Sequence, residues 1–422
     1  MVGAPDSVDG PGPQRFDAFM EAALYDPDRG FYGAGAGGAG RRGDFLTAPE
    51  VGPLFGAVLA RWLDACWDRC GRPDPFNAID AGAGPGTLVR SILAASPACA
   101  AALRWTLADR SPAARTRHEG LGRSVERIDG AAGSGAAAAT TAAAIGPAHV
   151  IVANELLDNL AVRLLQRHAG VWSEIWVDNG RPRLRPADPL PAPAASVLGA
   201  LDASAMPDGA RLPVLEAAAA WVAGARRLLV PEGRLLVFDY GVIRTGDLLA
   251  RPAEDWLRTY RRHSRGGDPF DEPGSQDITC EVPFDQLPSS FEVVAQADWL
   301  RRWGIEALVE AGRELWRARA GVGDLAALRA RSRIAESEAL LDPDGLGAFL
   351  VAEWGPPGST GSATAPGPSE PVRGGWWARH RPFQRNAVPA GCAAYARHDA
   401  HARGPPTAQQ GQSAGDGAAA DR

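Results

Sequence analysis

Two kinds of periodicity alternate along this chain. Helical spacing runs from Arg15 to Leu24, where Phe16, Phe19, Met20 and Ala23 form one apolar stripe, and again from about Pro49 to Cys70, a stretch rich in Trp, Leu and Val. From Phe76 the pattern changes to short apolar runs: 76–81, 104–109, 149–154, 234–241, 291–296 and 346–353. Runs of this length with few polar positions predict strands covered on both faces. The stretches between several of them (roughly 87–95, 215–229 and a long region of about 299–342) read as helices. Strand, helix, strand in succession predicts a doubly wound α/β sheet.

Three stretches depart from that alternation. Leu164–Arg167 and Val171–Val177 read as paired antiparallel strands, with Asn179-Gly180 turning into 181–185. Residues 181–211 are proline-rich and read as linker or irregular structure. The segment from Trp256 to Phe284 is polar and full of turn residues, which predicts an insertion at about 255–290. The expected organisation is a loose N-terminus at 1–13, a helical lead at 14–75, a main domain at 76–353, and a mostly disordered tail at 354–422 rich in Gly, Pro, Ser and Ala. Trp376–Phe383 stands in that tail as a basic, aromatic island, and 33–40 is a Gly/Ala run with the flexibility of a lid.

Composition changes this picture little. A 422-residue chain is long enough for a large core, and 45% hydrophobic with 22% charged residues is ordinary for a globular protein. The net charge of −6 gives no reason to expect nucleic acid as a partner. Every basic residue is arginine, which reflects coding composition rather than function. Five scattered cysteines do not read as a disulfide scaffold, and Cys66 and Cys70 read as packing residues, so no metal is expected. With no basic, apolar leader at Met1-Val-Gly-Ala-Pro-Asp and no run long enough to span a bilayer, the expected location is the cytoplasm, without membrane insertion.

The chemistry concentrates where strands end. Asp80-Ala-Gly-Ala-Gly-Pro-Gly86 follows a strand and opens a helix, with glycines at 82, 84 and 86. Glycine there lets the chain turn tightly and lets a ligand approach the main chain, while the helix start offers free N–H groups. A dinucleotide would suit GxGxxG. The tighter GxGxG, with an acid two residues before the first glycine, leans towards S-adenosylmethionine (SAM), whose cationic end Asp80 can meet. A plain glycine-rich turn in a chain of 50 glycines gives the same letters. Asp109 ends the second strand, where a carboxylate can accept both ribose hydroxyls. Asn154-Glu155-Leu-Leu-Asp158 ends a third strand. If these last residues form a helical turn, Glu155 and Asp158, three apart, share a face and can hold a cationic or amine acceptor; a helix cap with dipole-friendly acids is the alternative. For an arginine acceptor, which stays charged in water, carboxylates such as Glu155, Asp158 and Asp44 would localise the lone pair.

Three stretches taken together resemble the MidA-like class I SAM-dependent methyltransferases: Tyr25–Tyr32 with Gly43–Glu50, Asp80–Leu88, and Ala153–Val162. Phe238–Gly241, Tyr260–His263, Gly274–Thr279 and Leu346–Phe349 add to the resemblance, which covers about 14–353. That family includes a mitochondrial complex I assembly factor that methylates an arginine of a core subunit. The resemblance implies a Rossmann-like class I SAM-dependent methyltransferase core with an N-terminal helical lead and an inserted, substrate-facing segment. It implies SAM contacts from Gly43, Asp44, Phe45, Asp80, Gly82, Gly84, Gly86, Asp109 and Asn154, and catalytic roles for Asn154, Glu155, Asp158 and Asp44. It implies that His263, Asp277 and Tyr240 face the acceptor, a protein arginine, with a complex I-type subunit as the natural partner. Asn159-Leu160-Ala161 departs from the Pro-Leu-Pro or Ala-Leu-Pro of many members, and 126–147 is low-complexity where the family is well patterned. Methylation of another protein or a small molecule, a SAM-binding assembly factor with little turnover, and an NAD-dependent oxidoreductase are the competing readings.

Overall fold

The computed structural model describes residues 12–34, 47–128, 145–201, 206–261, 264–290 and 292–358. The apolar runs form seven strands of one sheet: β1 (Phe76–Ala81), β2 (Leu103–Ala108), β3 (Arg123–Val125), β4 (Ala148–Asn154), β5 (Leu229–Asp239), β6 (Glu292–Ala295) and β7 (Leu350–Trp354). Their order is β3-β2-β1-β4-β5-β7-β6. Strands β1 to β5 pair in parallel, and β7 runs antiparallel to both its neighbours. The order reverses between β1 and β4, the switch point where an open α/β sheet leaves a crevice beyond its carboxyl ends.

The strands bury both faces because successive side chains point opposite ways. Ile79, Ala81, Ile151, Ala153, Leu235 and Val237 enter one core. Phe76, Ala78, Val150, Val152, Leu236 and Phe238 enter the other. The helix Phe16–Tyr25 and the helix Glu216–Arg227 cover the first face through Phe16, Phe19, Met20, Trp221 and Val222. The helices Pro53–Arg69 and Thr87–Ala94 cover the second, with Phe55 edge-on to Phe238 at 5.2 Å. No helix among the described residues is long and apolar enough to cross a membrane.

Three excursions leave this frame. Between β4 and β5, Arg163–His168, Val171–Asp178, Arg181–Pro186 and Arg211–Val214 build an antiparallel sheet that also takes Gln14–Arg15 from the N-terminal lead. The turn at Asn179-Gly180 leads into the paired strand Arg181–Pro186 as expected, whereas further along 181–211, expected as linker or irregular, Ala192–Gly199 is a helix. Between β5 and β6, Leu257–Arg261, Ser264–Arg265 and Asp277–Cys280 form a three-stranded sheet within the expected insertion. Between β6 and β7 run three helices, Gln296–Arg302, Ile305–Arg319 and Leu325–Leu341.

The helix expected from Pro49 to Cys70 is two pieces, Ala48–Val51 and Pro53–Arg69. Pro53 disfavours a helical residue before it, and Gly52 is extended. The second piece is capped from far along the chain: the buried Glu336 accepts the Leu54 N–H at 2.8 Å. Thr47, at the start of the first piece, makes no side-chain cap bond. The last strand begins at Leu350, because Leu346–Ala348 is a short 3-10 turn.

Candidate active site

The register fixes which residues leave the sheet together. Ala81 pairs with Ala108 on one side and Ala153 on the other, and Asn154 pairs with Phe238. Gly82, Asp109, Asn154 and Asp239 therefore emerge side by side at the carboxyl edge. Gly82 and Ala83 both donate their N–H to the Ala108 carbonyl, at 2.9 and 3.0 Å, and Gly86 donates to Ala83 at 2.9 Å. Gly82, Gly84 and Gly86 have φ of +71°, +52° and +81°, a region that favours residues without a Cβ. A Cβ on Gly86 would lie 2.5 Å from Leu121, whereas one on Gly84 would meet nothing within 4 Å. The turn is thus packed from behind and open in front.

Two acids flank it. Asp80 is buried, and its Oδ2 has no hydrogen-bond partner among the described residues. Burial, followed by the neighbouring Asp109, pushes its carboxyl up to about 7. Asp109 accepts the Gly84 N–H at 2.7 Å through Oδ2 and the Ser111 N–H at 2.8 Å through Oδ1. Burial raises this carboxyl too, against those two N–H groups and the nearby His118 and Arg115. Asp109 therefore shapes the turn. The buried His118, which sequence reasoning did not single out, bridges Gly84 O and Ser124 Oγ, both at 2.8 Å, and ties the turn to β3.

Asn154 and Glu155 form the next wall. Asn154 Nδ2 donates to Glu155 Oε1 at 3.2 Å, while the buried Asn154 Oδ1 has no partner among the described residues. Glu155 holds φ of +53°, an uncommon value for a side chain with a Cβ. Its Oε1 accepts the Ala48 N–H at 3.4 Å, so the Thr47–Glu50 stretch and the Asn154–Asp158 stretch meet. The expectation that Glu155 and Asp158 share a helical face does not hold. The left-handed turn at Glu155 precedes a 3-10 turn at Leu157–Asn159, and the two side chains go to different neighbours.

Asp158 belongs to a second, fully buried group. Its Oδ2 accepts from Thr279 Oγ1 at 2.6 Å, and Thr279 is in turn bonded to the Tyr240 hydroxyl. Asp277 accepts from Asn159 Nδ2 at 2.8 Å, and Tyr25 donates its hydroxyl to the Asn159 carbonyl at 3.2 Å. The buried Asp239 holds the loop, accepting the N–H groups of Leu157 (2.8 Å) and Asp158 (3.3 Å) through Oδ2 and of Tyr240 (2.9 Å) through Oδ1. Arg110, next to Asp109, lies 3.6 Å over the Tyr25 ring, so the lead helix touches both groups.

Asp80, Gly82, Gly84, Gly86, Asp109 and Asn154 thus share one edge, and Asp158, Asp277 and Tyr240 lie together beside Asn159. Gly43, Asp44, Phe45 and His263 lie outside the described residues, as do most of the 33–40 run, most of 126–147 and the 376–383 island. Thr279, Asp239, Asn159, Tyr25 and His118 were missed as site residues. Asp239 carried a signal, since it ends a strand; Thr279 and Asn159 carried none apart from their place in the family motifs.

The residues at the edge fit SAM. The oxygens of Asp80 and Asn154 without a partner among the described residues suit a cationic group, and the open space before Gly84 admits a ligand against the main chain. Held there, SAM supplies an electrophilic methyl group on a good leaving sulfur.

Sheet order, reversed seventh strand and glycine turn define a Rossmann-like class I SAM-dependent methyltransferase fold. A family described as "Putative S-adenosyl-L-methionine-dependent methyltransferase" matches residues 58–301, more than half of the chain, and the chain belongs to that family. It is similar to a methyl transferase candidate from Burkholderia thailandensis whose structure holds S-adenosyl-homocysteine, at 27% identity and a TM-score of 0.65, covering 81% of this chain and 87% of that one. Among named proteins it is similar to the zebrafish (Danio rerio) protein arginine methyltransferase NDUFAF7, mitochondrial, at 26% identity over 342 residues, 71% of this chain and 75% of that protein. The Drosophila melanogaster homologue is 38% identical over 82 residues, and that alignment spans 19% of this chain and only 18% of the fly protein.

Proposed function

We propose that this chain transfers the methyl group of SAM to an arginine side chain of a protein, a respiratory complex I-type subunit, in the cytoplasm. The observation that carries this is the pairing of two unlike sites on one sheet edge: an open glycine turn with acids for the donor, and beside it a buried group of carboxylates suited to a guanidinium. A guanidinium keeps its charge in water and is a poor nucleophile. In this reading Asp158 and Asp277, with Glu155, hold the cation, orient one nitrogen and take the proton that it loses on methylation. Alignment and exclusion of water supply most of what such a transfer needs. The arginine specificity in the names of the NDUFAF7 relatives supports the choice of acceptor.

Mass spectrometry of the complex I core subunits, from cells with and without the gene, tests the reading. An arginine methyl mark should vanish with the gene and return with the native chain, but not with Asp158→Asn. Unchanged arginine methylation would remove this substrate.

A further inference from the structure

We infer that Thr279 and Tyr240 are positioning residues for the Asp158 carboxylate: a two-hydroxyl relay that fixes its orientation towards the acceptor. The inference rests on the proposed methyl transfer and names how the chain prepares its acceptor acid.

A threonine hydroxyl has one proton. Thr279 gives it to Asp158 Oδ2 at 2.6 Å, so the short contact between Thr279 and Tyr240 must be donated by the tyrosine. Hydrogen bonds thus run one way, from Tyr240 to Thr279 to Asp158, and end on the carboxylate. Such a bond is stronger than one between neutral groups. Both hydroxyl bearers are rigidly held. Thr279 lies on the strand Asp277–Cys280 of the inserted sheet, paired with Arg258 of the central strand, and is fully buried. The Tyr240 ring packs 5.7 Å from Phe349, and its backbone N–H is held by Asp239 Oδ1 at 2.9 Å. Arg258, at 5.7 Å over the Tyr240 ring, is fixed in turn by the buried Glu281. Three segments of chain therefore converge to aim one carboxylate: the loop after β4, the loop after β5 and the inserted sheet.

The test compares the native chain with Thr279→Val, Thr279→Ser and Tyr240→Phe. It uses SAM titration, and methyl transfer from labelled SAM to the core-subunit preparation of cells lacking the gene. Thr279→Val keeps the shape and removes the hydroxyl. It should lower kcat by about tenfold to a hundredfold while the KM for SAM stays within about twofold. Thr279→Ser should restore most of the rate, and Tyr240→Phe should lower kcat less than Thr279→Val. Transfer by Thr279→Val at the native rate would overturn the inference, as would failure of serine to rescue it, because the loss would then come from packing. Should Thr279→Val not fold, Tyr240→Phe decides alone: an unchanged kcat overturns the inference. If the native chain binds SAM but transfers nothing, the proposed function itself fails and the inference goes with it. That outcome is recognised by a native control as inactive as the variants.

Discussion

The edge at the glycine turn and the buried group around Asp158 lie beside one another, yet they are assembled in opposite ways. At that edge Gly84 and Asp109 are 25 residues apart, and His118 reaches back 34. In the buried group Thr279 meets Asp158 across 121 residues and Asn159 meets Asp277 across 118. The first joins a strand, a turn and the neighbouring strand, each of which the local sequence marks, although the contacts between them form only on folding. The second exists only when the inserted sheet, the loop after β4 and the lead helix have all docked. The turn is also open before Gly84, whereas Asp158, Asp277 and Asp239 are fully buried. A turn that offers its main chain can be built from adjacent strands; carboxylates held away from water require partners from several parts of the chain.

The sharpest way to break this comparison is at the turn. Gly86→Val forces a branched side chain into a left-handed position and against Leu121, and should cost about 3 kcal/mol of stability, seen as a lower denaturation midpoint. It should also abolish SAM binding in a calorimetric titration. Next is Asp158→Asn. It should lower methyl transfer by about a hundredfold or more and leave the Kd for SAM within about twofold, because it leaves the donor edge intact. A matching loss of SAM affinity would show that the two groups are one site.

A third, smaller effect comes from Asp80. In the folded chain its carboxyl is pushed from 3.8 to about 7. Between those values the folded state holds a proton that the unfolded state has released, so this group makes stability fall as pH rises through the window. Asp80→Asn should flatten that slope in pH-dependent unfolding. A cation bound beside Asp80 favours the ionised form, so SAM affinity should rise as pH passes about 7, and the asparagine variant should lose most of that rise. Last, Tyr25→Phe removes the bond to the Asn159 carbonyl and should cost about 1 kcal/mol, read by denaturation. If Arg110 and Tyr25 couple the two groups, the same change should weaken SAM binding by a few-fold at most.

Much of the fold was legible from the apolar runs, because strands covered on both faces cannot hide their composition. Boundaries were less so. Gly52 and Pro53 split an otherwise continuous helical pattern, and the cap that stabilises the second piece comes from Glu336, almost 300 residues away, where no local rule reaches. The turn at Glu155 misled for a related reason. Spacing of three suggested one helical face, but the carbonyl of Phe238 takes the Glu155 N–H at 2.8 Å and the backbone there is left-handed. Neighbouring strands, rather than local preference, set that conformation.

By itself the sequence determined the strand-and-helix alternation, the glycine turn and the acids that end the strands, since each depends on residues close together in the chain. Tertiary structure alone decided that Asp109 would brace the turn through Gly84, that His118 would pin it from behind, and that Thr279, Tyr240 and Asn159 would gather around Asp158 and Asp277. The physical reason is that a buried carboxylate must find its hydrogen-bond donors wherever the fold delivers them, and those donors carry no mark in the sequence until distant segments have packed.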